Sequence, residues 1–171
     1  MRNGNKRPLL ARDLMSRPVR RLTASTPVRD AAAFFMRHGI SGAPVVDGHG
    51  RWLGVFTQRD LARHVEERMV ASRRERTLES REPVLDAGGM PSDEFGRTPI
   101  RALMSQGLFT VFPDATLAEV LRALVSFEVH RVFVIDEKTG ALEGVITTLD
   151  VLRALERSGE SFPVVSSTYK L

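Results

Sequence analysis

The 171-residue chain has 42% hydrophobic and 27% charged residues and a formal net charge of +4, a composition typical of a globular protein. No apolar run approaches the roughly 20 residues needed to span a bilayer, and the polar N-terminus, residues 1–12, lacks the apolar stretch of a secretory signal. The absence of cysteine excludes disulfides and thiolate sites, and it fits a cytoplasmic location, which we expect.

The N-terminal segment is strongly basic, with seven basic residues and a single acidic one, Asp13, between positions 1 and 21. Such an arm is one way to contact nucleic acid. The alternative is a solvated tail, which we favour because no aromatic residues are interleaved for base stacking and no DNA-reading motif follows. The basic residues are Arg2, Lys6, Arg7, Arg12, Arg17, Arg20 and Arg21.

The first half of the chain then alternates helix and strand patterns. Ser25-Thr26-Pro27 predicts a capped helix start, and the apolar residues after it are spaced along one helix face. Short apolar runs at 43–46 and 52–56 flank a Gly-rich turn and predict a β-hairpin, followed by a helix from Gln58 to about Arg68. The helix-face residues are Val28, Ala31, Ala32, Phe35 and Met36.

Residues 69–97 differ in character from what precedes them and are predicted to be a linker. Charged residues over 68–82 are compatible with an extension of the preceding helix, whereas Gly and Pro over 86–92 indicate a loop. We interpret the segment as a linker or a partner-contact helix. The tail, 158–171, contains a possible short strand at 162–165.

The second half repeats the first. Leu14-Met15-Ser16 recurs as Leu103-Met104-Ser105, 89 positions later, and after one inserted residue in the hairpin turn the shift becomes 90. The repeat predicts a helix capped by Asp114, a hairpin of runs 132–135 and 142–146, and a helix from Thr148 to about Arg157. Its helix face comprises Leu117, Val120, Leu121, Leu124 and Val125.

A Thr-x-x-Asp motif occurs where the second hairpin strand of each copy meets its helix: Thr57 with Asp60, and Thr147 with Asp150. One interpretation is a capping box, in which the two side chains satisfy backbone N–H groups of the first turn. The other is a ligand site, because a helix N-terminus favours anions and a carboxylate can accept hydrogen bonds from the vicinal hydroxyls of a ribose. The sequence leaves both interpretations open.

In order and in duplicate, these motifs resemble the CBS domain. The resemblance rests in copy one on residues 13–16, 40–47 and 54–60, and in copy two on residues 103–105, 129–136 and 144–150. It covers repeats at 10–68 and 98–157. It implies an α/β (α+β) fold of two β-α-β-β-α CBS repeats packed with pseudo-two-fold symmetry, with first strands at 19–23 and 108–112.

The family resemblance implies clefts between the repeats that bind AMP, ADP, ATP or S-adenosylmethionine. Asp60 and Asp150 match the ribose-binding aspartates of the family, and Thr57 and Thr147 match the neighbouring threonines. Each first strand also lines a cleft, which adds Thr110 to the expected site. The base-contacting segments match Ile40, Ser41, Gly42, Ala43 and Pro44 in copy one and Val129, His130, Arg131 and Val132 in copy two.

The pair His130-Arg131 resembles the phosphate-facing pair in the nucleotide-sensing subunit of the AMP-activated kinase. An arginine suits phosphate because its guanidinium binds two oxygens at once. Copy one has Ser41-Gly42 instead, which weakens the expectation of a phosphorylated ligand there unless Arg20 compensates.

No cofactor, metal site or catalytic activity is expected, because the histidines are not spaced as metal ligands and no nucleophile elbow or P-loop is present. We therefore predict a regulatory module that binds an adenine nucleotide or a related adenosine-containing ligand. It is expected to be a homodimer, without a membrane partner, that acts on a regulated protein. The alternatives are a ligand-free structural or protein-interaction module and nucleic-acid binding through the basic arm.

Overall fold

The computed structural model describes residues 7–78 and 96–158. The predicted loop at 86–92, the possible strand at 162–165 and the first six residues of the basic arm lie outside the described residues. In chain order the elements are α1 (Ala11–Leu14), β1 (Leu22–Thr23), α2 (Val28–His38), β2 (Gly42–Val46), β3 (Trp52–Thr57), α3 (Gln58–Leu78), a 3₁₀ helix (Ile100–Ala102), β4 (Ser105–Gln106), β5 (Thr110–Val111), α4 (Leu117–Ser126), β6 (Arg131–Ile135), β7 (Leu142–Thr147) and α5 (Thr148–Ser158).

The described residues form two units. The first unit, residues 20–78 and 96–108, has a four-stranded sheet in the order β1-β2-β3-β4, in which β1 is parallel to β2 and the other pairings are antiparallel. Helix α2 buries Phe35 on this sheet, where its ring stacks on Phe56 with centroids 5.8 Å apart. The rest of this core comprises Leu22, Val28, Ala31, Ala43, Val45 and Ile100.

The second unit, residues 7–19 and 109–158, has a three-stranded sheet in the order β5-β6-β7. Its first pairing is parallel and its second antiparallel. Helices α4 and α5 pack on this sheet, and the short helix α1 adds two apolar residues to the core. The core comprises Ala11, Leu14, Val120, Leu124, Val132, Val134, Ile146, Val151 and Ala154.

The segment that precedes each repeat packs on the sheet of the other repeat. Ser105 in β4 pairs with Val55 of β3, in the first unit. Ser16, ahead of the first repeat, forms a bridge with Val145 of β7, in the second unit. The two structural units therefore differ from the two sequence repeats, because each unit contains the segment that precedes the repeat of the other unit.

The predicted helix faces are only half buried. In α2, Phe35 is in the core, whereas Met36 is 84% exposed. In α4, Leu124 is in the core, whereas Leu121 and Val125 are 37% and 73% exposed. The repeated apolar pattern thus contains two adjacent stripes on each helix, and only one of them faces the sheet.

Two predicted helix caps are wrong. The backbone carbonyl of Thr98 accepts from the N–H of Val28 at 2.9 Å, and the N-cap of α2 is Pro27, which forms no side-chain cap. Helix α4 is capped not by Asp114 but by Thr116, whose hydroxyl accepts from the N–H of Glu119 while the Glu119 carboxylate accepts from the N–H of Thr116 at 2.7 Å. This arrangement satisfies both backbone donors, and Asp114 lies two residues too early to do so.

The remaining boundaries follow the sequence pattern with two adjustments. Helix α3 continues past Arg68 to Leu78, which confirms a helical extension of the second helix of the repeat. The first strands are shorter than predicted, with two residues each in β1 and β5. No helix within residues 7–78 and 96–158 has the length and apolarity to cross a membrane.

Candidate ligand site

The Thr-x-x-Asp motif forms a capping box in both copies. At the start of α3, Asp60 accepts from the N–H and the hydroxyl of Thr57 at 2.9 and 2.7 Å, and the Thr57 hydroxyl accepts from the N–H of Asp60 at 3.3 Å. At the start of α5, Asp150 and Thr147 form the same three bonds at 2.8, 2.6 and 3.3 Å. The structural interpretation of the motif is therefore confirmed.

The cap uses only one oxygen of each carboxylate, Oδ2. In the first unit Asp60 is 4% exposed, and its Oδ1 accepts from the guanidinium of Arg63 at 3.0 Å and lies 3.4 Å from the hydroxyl of Ser105. The same guanidinium nitrogen of Arg63 donates to the carbonyl oxygen of Leu103 at 3.2 Å. Oδ1 of Asp60 is thus enclosed by protein groups.

The corresponding oxygen of Asp150 is less occupied. Its Oδ1 lies 3.5 Å from the hydroxyl of Ser16, which is long for a hydrogen bond. Arg153 is the sequence equivalent of Arg63, but none of the ion pairs in the described part of the chain joins Arg153 to Asp150. Asp150 is also more exposed than Asp60. The second unit therefore presents a half-buried carboxylate at a helix N-terminus, with one oxygen outside the cap.

The glycines of the motif, Gly54 and Gly144, serve chain packing. A Cβ on Gly54 would collide with the backbone carbonyl of Ser105, and a Cβ on Gly144 would collide with the side chain of Met15. Segments of the chain itself therefore fill the space that a side chain at either position would need.

The strand register brings Arg131 opposite the threonine of the second motif. Arg131 in β6 lies directly opposite Thr147 in β7, so their side chains share one face of the sheet. The neighbouring His130 is exposed, and its backbone carbonyl accepts from the N–H of Thr148 at 3.2 Å. Burial lowers the pKa of the Arg131 guanidinium, which marks a partly desolvated cation beside the helix start.

Copy one lacks this cation. Its register places Gly42 opposite Thr57, where glycine adds no side chain, and Ser41 occupies the position of His130. The carbonyl of Ser41 accepts from the N–H of Gln58 at 3.0 Å, so the backbone path is the same in both copies. The two sites thus share a backbone frame and differ in charge.

Most of the other predicted site residues are buried or packed against the two cores. Ala43 and Val132 are fully buried core residues, and Pro44 is buried in the same strand as Ala43. Ile40 and Val129 follow their helices and pack against the two cores. A ligand would therefore meet the buried residues through the backbone.

Thr110 and Arg20 are both exposed. Thr110 belongs to the same unit as Asp150, and Arg20 to the same unit as Asp60. Burial is the main cause that lowers the pKa of His38, and the positive charge of Arg20 is the second cause. The described residues show no hydrogen bond from Arg20 to Asp60, so compensation by Arg20 stays a prediction.

Three polar residues at these sites were not assigned from the sequence: Ser16, Ser105 and Arg63. The serines belong to the repeated Leu-Met-Ser motif, and their position in both copies was the available signal. Only the three-dimensional pairing shows that each serine approaches the aspartate of the other repeat. No group of three acidic or histidine side chains suited to a metal ion occurs among the described residues.

This chain belongs to the CBS domain family, which it matches over residues 11–67 and 100–157. Those segments contain both Thr-x-x-Asp motifs and the serine that approaches Asp60. The recognition of a tandem CBS pair from the repeated motifs is therefore confirmed, and so is the mixed α/β fold.

Curated relatives cover the chain almost completely but differ in their own length. The chain is 25% identical to protein MJ1426 of Methanocaldococcus jannaschii over 90% of this chain and 95% of that protein. It is 26% identical to the A-adding tRNA nucleotidyltransferase of Aquifex aeolicus over 89% of this chain but 15% of the enzyme. It is 28% identical to the 5′-AMP-activated protein kinase subunit gamma of Kluyveromyces lactis over 86% of this chain and 40% of that subunit.

Solved structures share the fold at low sequence identity. CBSX2 in complex with AMP superposes with a TM-score of 0.64 at 22% identity, covering 87% of this chain and 97% of CBSX2. The CBS domain pair of protein MJ0100, in complex with 5′-methylthioadenosine and S-adenosyl-L-methionine, has a TM-score of 0.64 at 19% identity, covering 88% and 98%. At this identity the likeness establishes the fold.

Proposed function

We propose that this protein is a regulatory CBS module that binds an adenine nucleotide or a related adenosine-containing ligand at Asp150. The observation that carries the proposal is the half-buried Asp150 at the N-terminus of α5, whose Oδ1 takes no part in the helix cap and lies 3.5 Å from the hydroxyl of Ser16. A carboxylate oxygen in this position accepts hydrogen bonds from ribose hydroxyls, while Oδ2 remains in the helix cap. Hydrogen bonds to a charged group typically contribute about 1.5–3 kcal/mol.

The neighbouring residues of the second unit favour a phosphorylated ligand. Arg131 shares a sheet face with Thr147, and a guanidinium can bind two phosphate oxygens together. The partly desolvated position of Arg131 strengthens its attraction for an anion, because screening by water is reduced. The exposed His130 and the N-terminal N–H groups of α5 add to this preference.

Related proteins support the class of ligand. Structures of CBS pairs with this fold contain AMP in one case, and 5′-methylthioadenosine with S-adenosyl-L-methionine in another. These molecules have adenosine in common and differ in the group at the 5′ position. We therefore propose that this chain recognises the adenosine part of its ligand. The titration described next identifies the group at the 5′ position.

Isothermal titration of the full chain with AMP, ADP, ATP and S-adenosylmethionine tests the proposal. Replacing Asp150 by Ala should weaken binding by about 10- to 100-fold, which corresponds to the loss of one or two charge-assisted hydrogen bonds. Saturating ligand should also raise the Tm of the wild-type protein and not that of the variant. Failure of all four ligands to bind at millimolar concentration would refute the proposal.

The matched control is Glu119→Ala. Glu119 closes a capping box at the start of α4 with the same geometry as Asp150 at the start of α5. Both variants lose a cap, so both should lower the Tm, but Glu119→Ala should leave ligand affinity within about twofold. Equal losses of affinity in the two variants would assign the effect to folding and not to ligand contact.

Within this proposal the chain regulates a partner protein and carries out no reaction of its own. The partner would sense a conformational change of the module that accompanies ligand binding. The ligand can shift the equilibrium between the two conformations by no more than the difference in its affinity for them. A cytoplasmic location stays a prediction. The nucleic-acid alternative depends on the basic arm, half of which lies outside the described residues.

We also propose a homodimer, supported by an exposed apolar surface on the second unit. Helices α4 and α5 pack against each other and carry exposed apolar residues on both. Exposed apolar clusters of this kind mark interaction sites, and a second copy presents a surface of the same chemistry. The residues are Leu121, Val125, Leu149 and Leu152, which are 37%, 73%, 51% and 56% exposed.

A further inference from the structure

The two equivalent aspartates differ in one contact that the sequence does not reveal. Arg63 and Arg153 occupy the same position three residues after Asp60 and Asp150. The guanidinium of Arg63 lies 3.0 Å from Oδ1 of Asp60, whereas the described residues contain no such pair between Arg153 and Asp150. The difference falls on Oδ1, the oxygen that the helix cap leaves unused.

A second contact holds Arg63 over its carboxylate. The nitrogen that donates to Asp60 also donates to the backbone carbonyl of Leu103 at 3.2 Å. Leu103 precedes Ser105, whose hydroxyl lies 3.4 Å from the same Oδ1. Arg63 and the Leu103–Ser105 segment therefore surround Oδ1 together, and the Asp60 side chain retains only 5% of its exposure.

This arrangement opposes binding of a diol. A ribose hydroxyl must donate to Oδ1, and that oxygen already accepts from a cation. The hydroxyl would compete with an ion pair, and displacing the Arg63 guanidinium would replace a cationic donor by an uncharged one and leave the guanidinium without its carboxylate partner. At Asp150 the hydroxyl competes, among the residues that the structure describes, with the long contact from Ser16.

We propose that Arg63 closes the Asp60 site, so that the chain binds one adenosine-containing ligand per copy, at Asp150. The inference rests on the proposed function for its ligand. It assigns Arg63 a specificity-determining role, because this residue decides which of two equivalent motifs accepts the ligand. Removing its charge should open the Asp60 site.

Titration of the full chain with AMP tests the stoichiometry. We expect one site in the wild type, none in Asp150→Ala, two in Arg63→Gln and one in the double variant Arg63→Gln/Asp150→Ala. The opened site should bind AMP more weakly than the site at Asp150, because Gly42 stands there in place of Arg131. The regained site should have at least about tenfold higher affinity than any residual binding in Asp150→Ala, as expected when one charge-assisted bond no longer competes. The matched control, Arg153→Gln, should create no new site in either background.

Three results would overturn the inference. The first is two equivalent sites in the wild type, with one retained in Asp150→Ala; the proposed function would then stand and the closure by Arg63 would fail. The second is an unchanged stoichiometry in Arg63→Gln. The third is a loss of AMP binding in Arg63→Gln, which would make Arg63 a ligand contact.

A measurement without ligand separates this inference from the proposed function. In a double-mutant cycle of Arg63→Gln and Asp60→Asn, the Tm changes should deviate from additivity by about 1–3 °C, as expected for a charge pair of this exposure. The equivalent cycle at Arg153 and Asp150 should be additive. If AMP, ADP, ATP and S-adenosylmethionine all bind to no variant, the proposed function fails. Additivity at Arg63 and Asp60 would refute the closing pair itself.

Discussion

Gly144 in β7 lies against Met15, whose side chain fills the space that a Cβ at position 144 would need. The equivalent Gly54 lies against the backbone carbonyl of Ser105. Both glycines thus permit the leading segment of one repeat to pack on a strand of the other. The two contacts differ in kind. At Gly54 the obstacle is a carbonyl fixed in a strand pairing, whereas at Gly144 the sulfur of Met15 can move aside although its Cβ, 2.7 Å from the added atom, cannot.

Alanine at these glycines should therefore destabilise the protein to different extents. We expect Gly54→Ala to lower the free energy of unfolding by about 3 kcal/mol and Gly144→Ala by about 2 kcal/mol, within the range found for overpacked sites. Urea denaturation measures both. Gly48→Ala is the control, since nothing lies within 4 Å of its Cβ position. Equal losses at the two positions would contradict the difference in rigidity.

The turn between β2 and β3 should make stability depend on acid. The pKa of Asp47 is lowered from 3.8 to about 2, first by the backbone N–H of Arg51, then by the Arg51 side chain. The N–H of His49 also donates to this carboxylate, at 2.8 Å. A lowered folded-state pKa means that the ionised carboxylate favours the folded state above its ordinary pKa.

The stabilisation from Asp47 is thus complete above about pH 4–5 and is lost as the pH falls toward 2. Replacing Asp47 by Asn should lower the Tm near neutral pH, and the difference from the wild type should shrink on acidification. Thermal unfolding between pH 6 and pH 2 measures this. Parallel Tm curves over that range would show that Asp47 does not contribute in its ionised form.

Much of this fold could be predicted from local pattern. The hairpins, the helix faces and the Thr-x-x-Asp caps depend on residues close in sequence, so a single pass along the chain finds them. The pairing of Ser105 with Val55 joins residues 50 positions apart through a strand of only two residues. A strand of two residues is too short for its sequence pattern to identify the strand it pairs with. The exchange of leading segments was therefore not predicted.

The candidate site shows the same limit. The aspartates and threonines could be found because they repeat, and so could the absence of a basic pair in copy one. The contact of Arg63 could not, because Arg153 occupies the same register and forms no such pair in the part of the chain that is described. Arg63 and Arg153 differ because of the residues packed around them in three dimensions, and the local motif carries no information on those residues.

The start of α4 offers a direct test of a prediction that was wrong. Thr116→Ala removes the hydroxyl that accepts from the N–H of Glu119 and should cost about 1 kcal/mol, as is usual for a helix cap. Asp114→Ala changes an exposed residue outside the cap and should change stability by less than about 0.5 kcal/mol. Chemical denaturation of both variants decides between the two caps. A larger loss for Asp114→Ala would restore the original prediction.

The proposed dimer can be tested on the exposed apolar surface. The double substitution Val125→Asp/Leu152→Asp places two charges on residues that are 73% and 56% exposed, so the fold should be retained while association is lost. Light scattering coupled to size exclusion should show a dimer for the wild type and a monomer for the variant. Lys138→Asp, in the turn between β6 and β7, is a control for altered charge. A monomeric wild type at high concentration would exclude the dimer.

The position of Arg131 predicts how the protein should distinguish ligands. If Arg131 binds the phosphate, Arg131→Gln should weaken AMP by about 10-fold or more and leave adenosine within about twofold, because only AMP carries the charge that the guanidinium contacts. Both ligands should lose affinity in Asp150→Ala, since both carry the ribose. Titration of AMP and adenosine against the two variants therefore separates phosphate contact from ribose contact. An equal loss of AMP and adenosine in Arg131→Gln would instead give Arg131 a structural role beside Thr147, without a preference for phosphate.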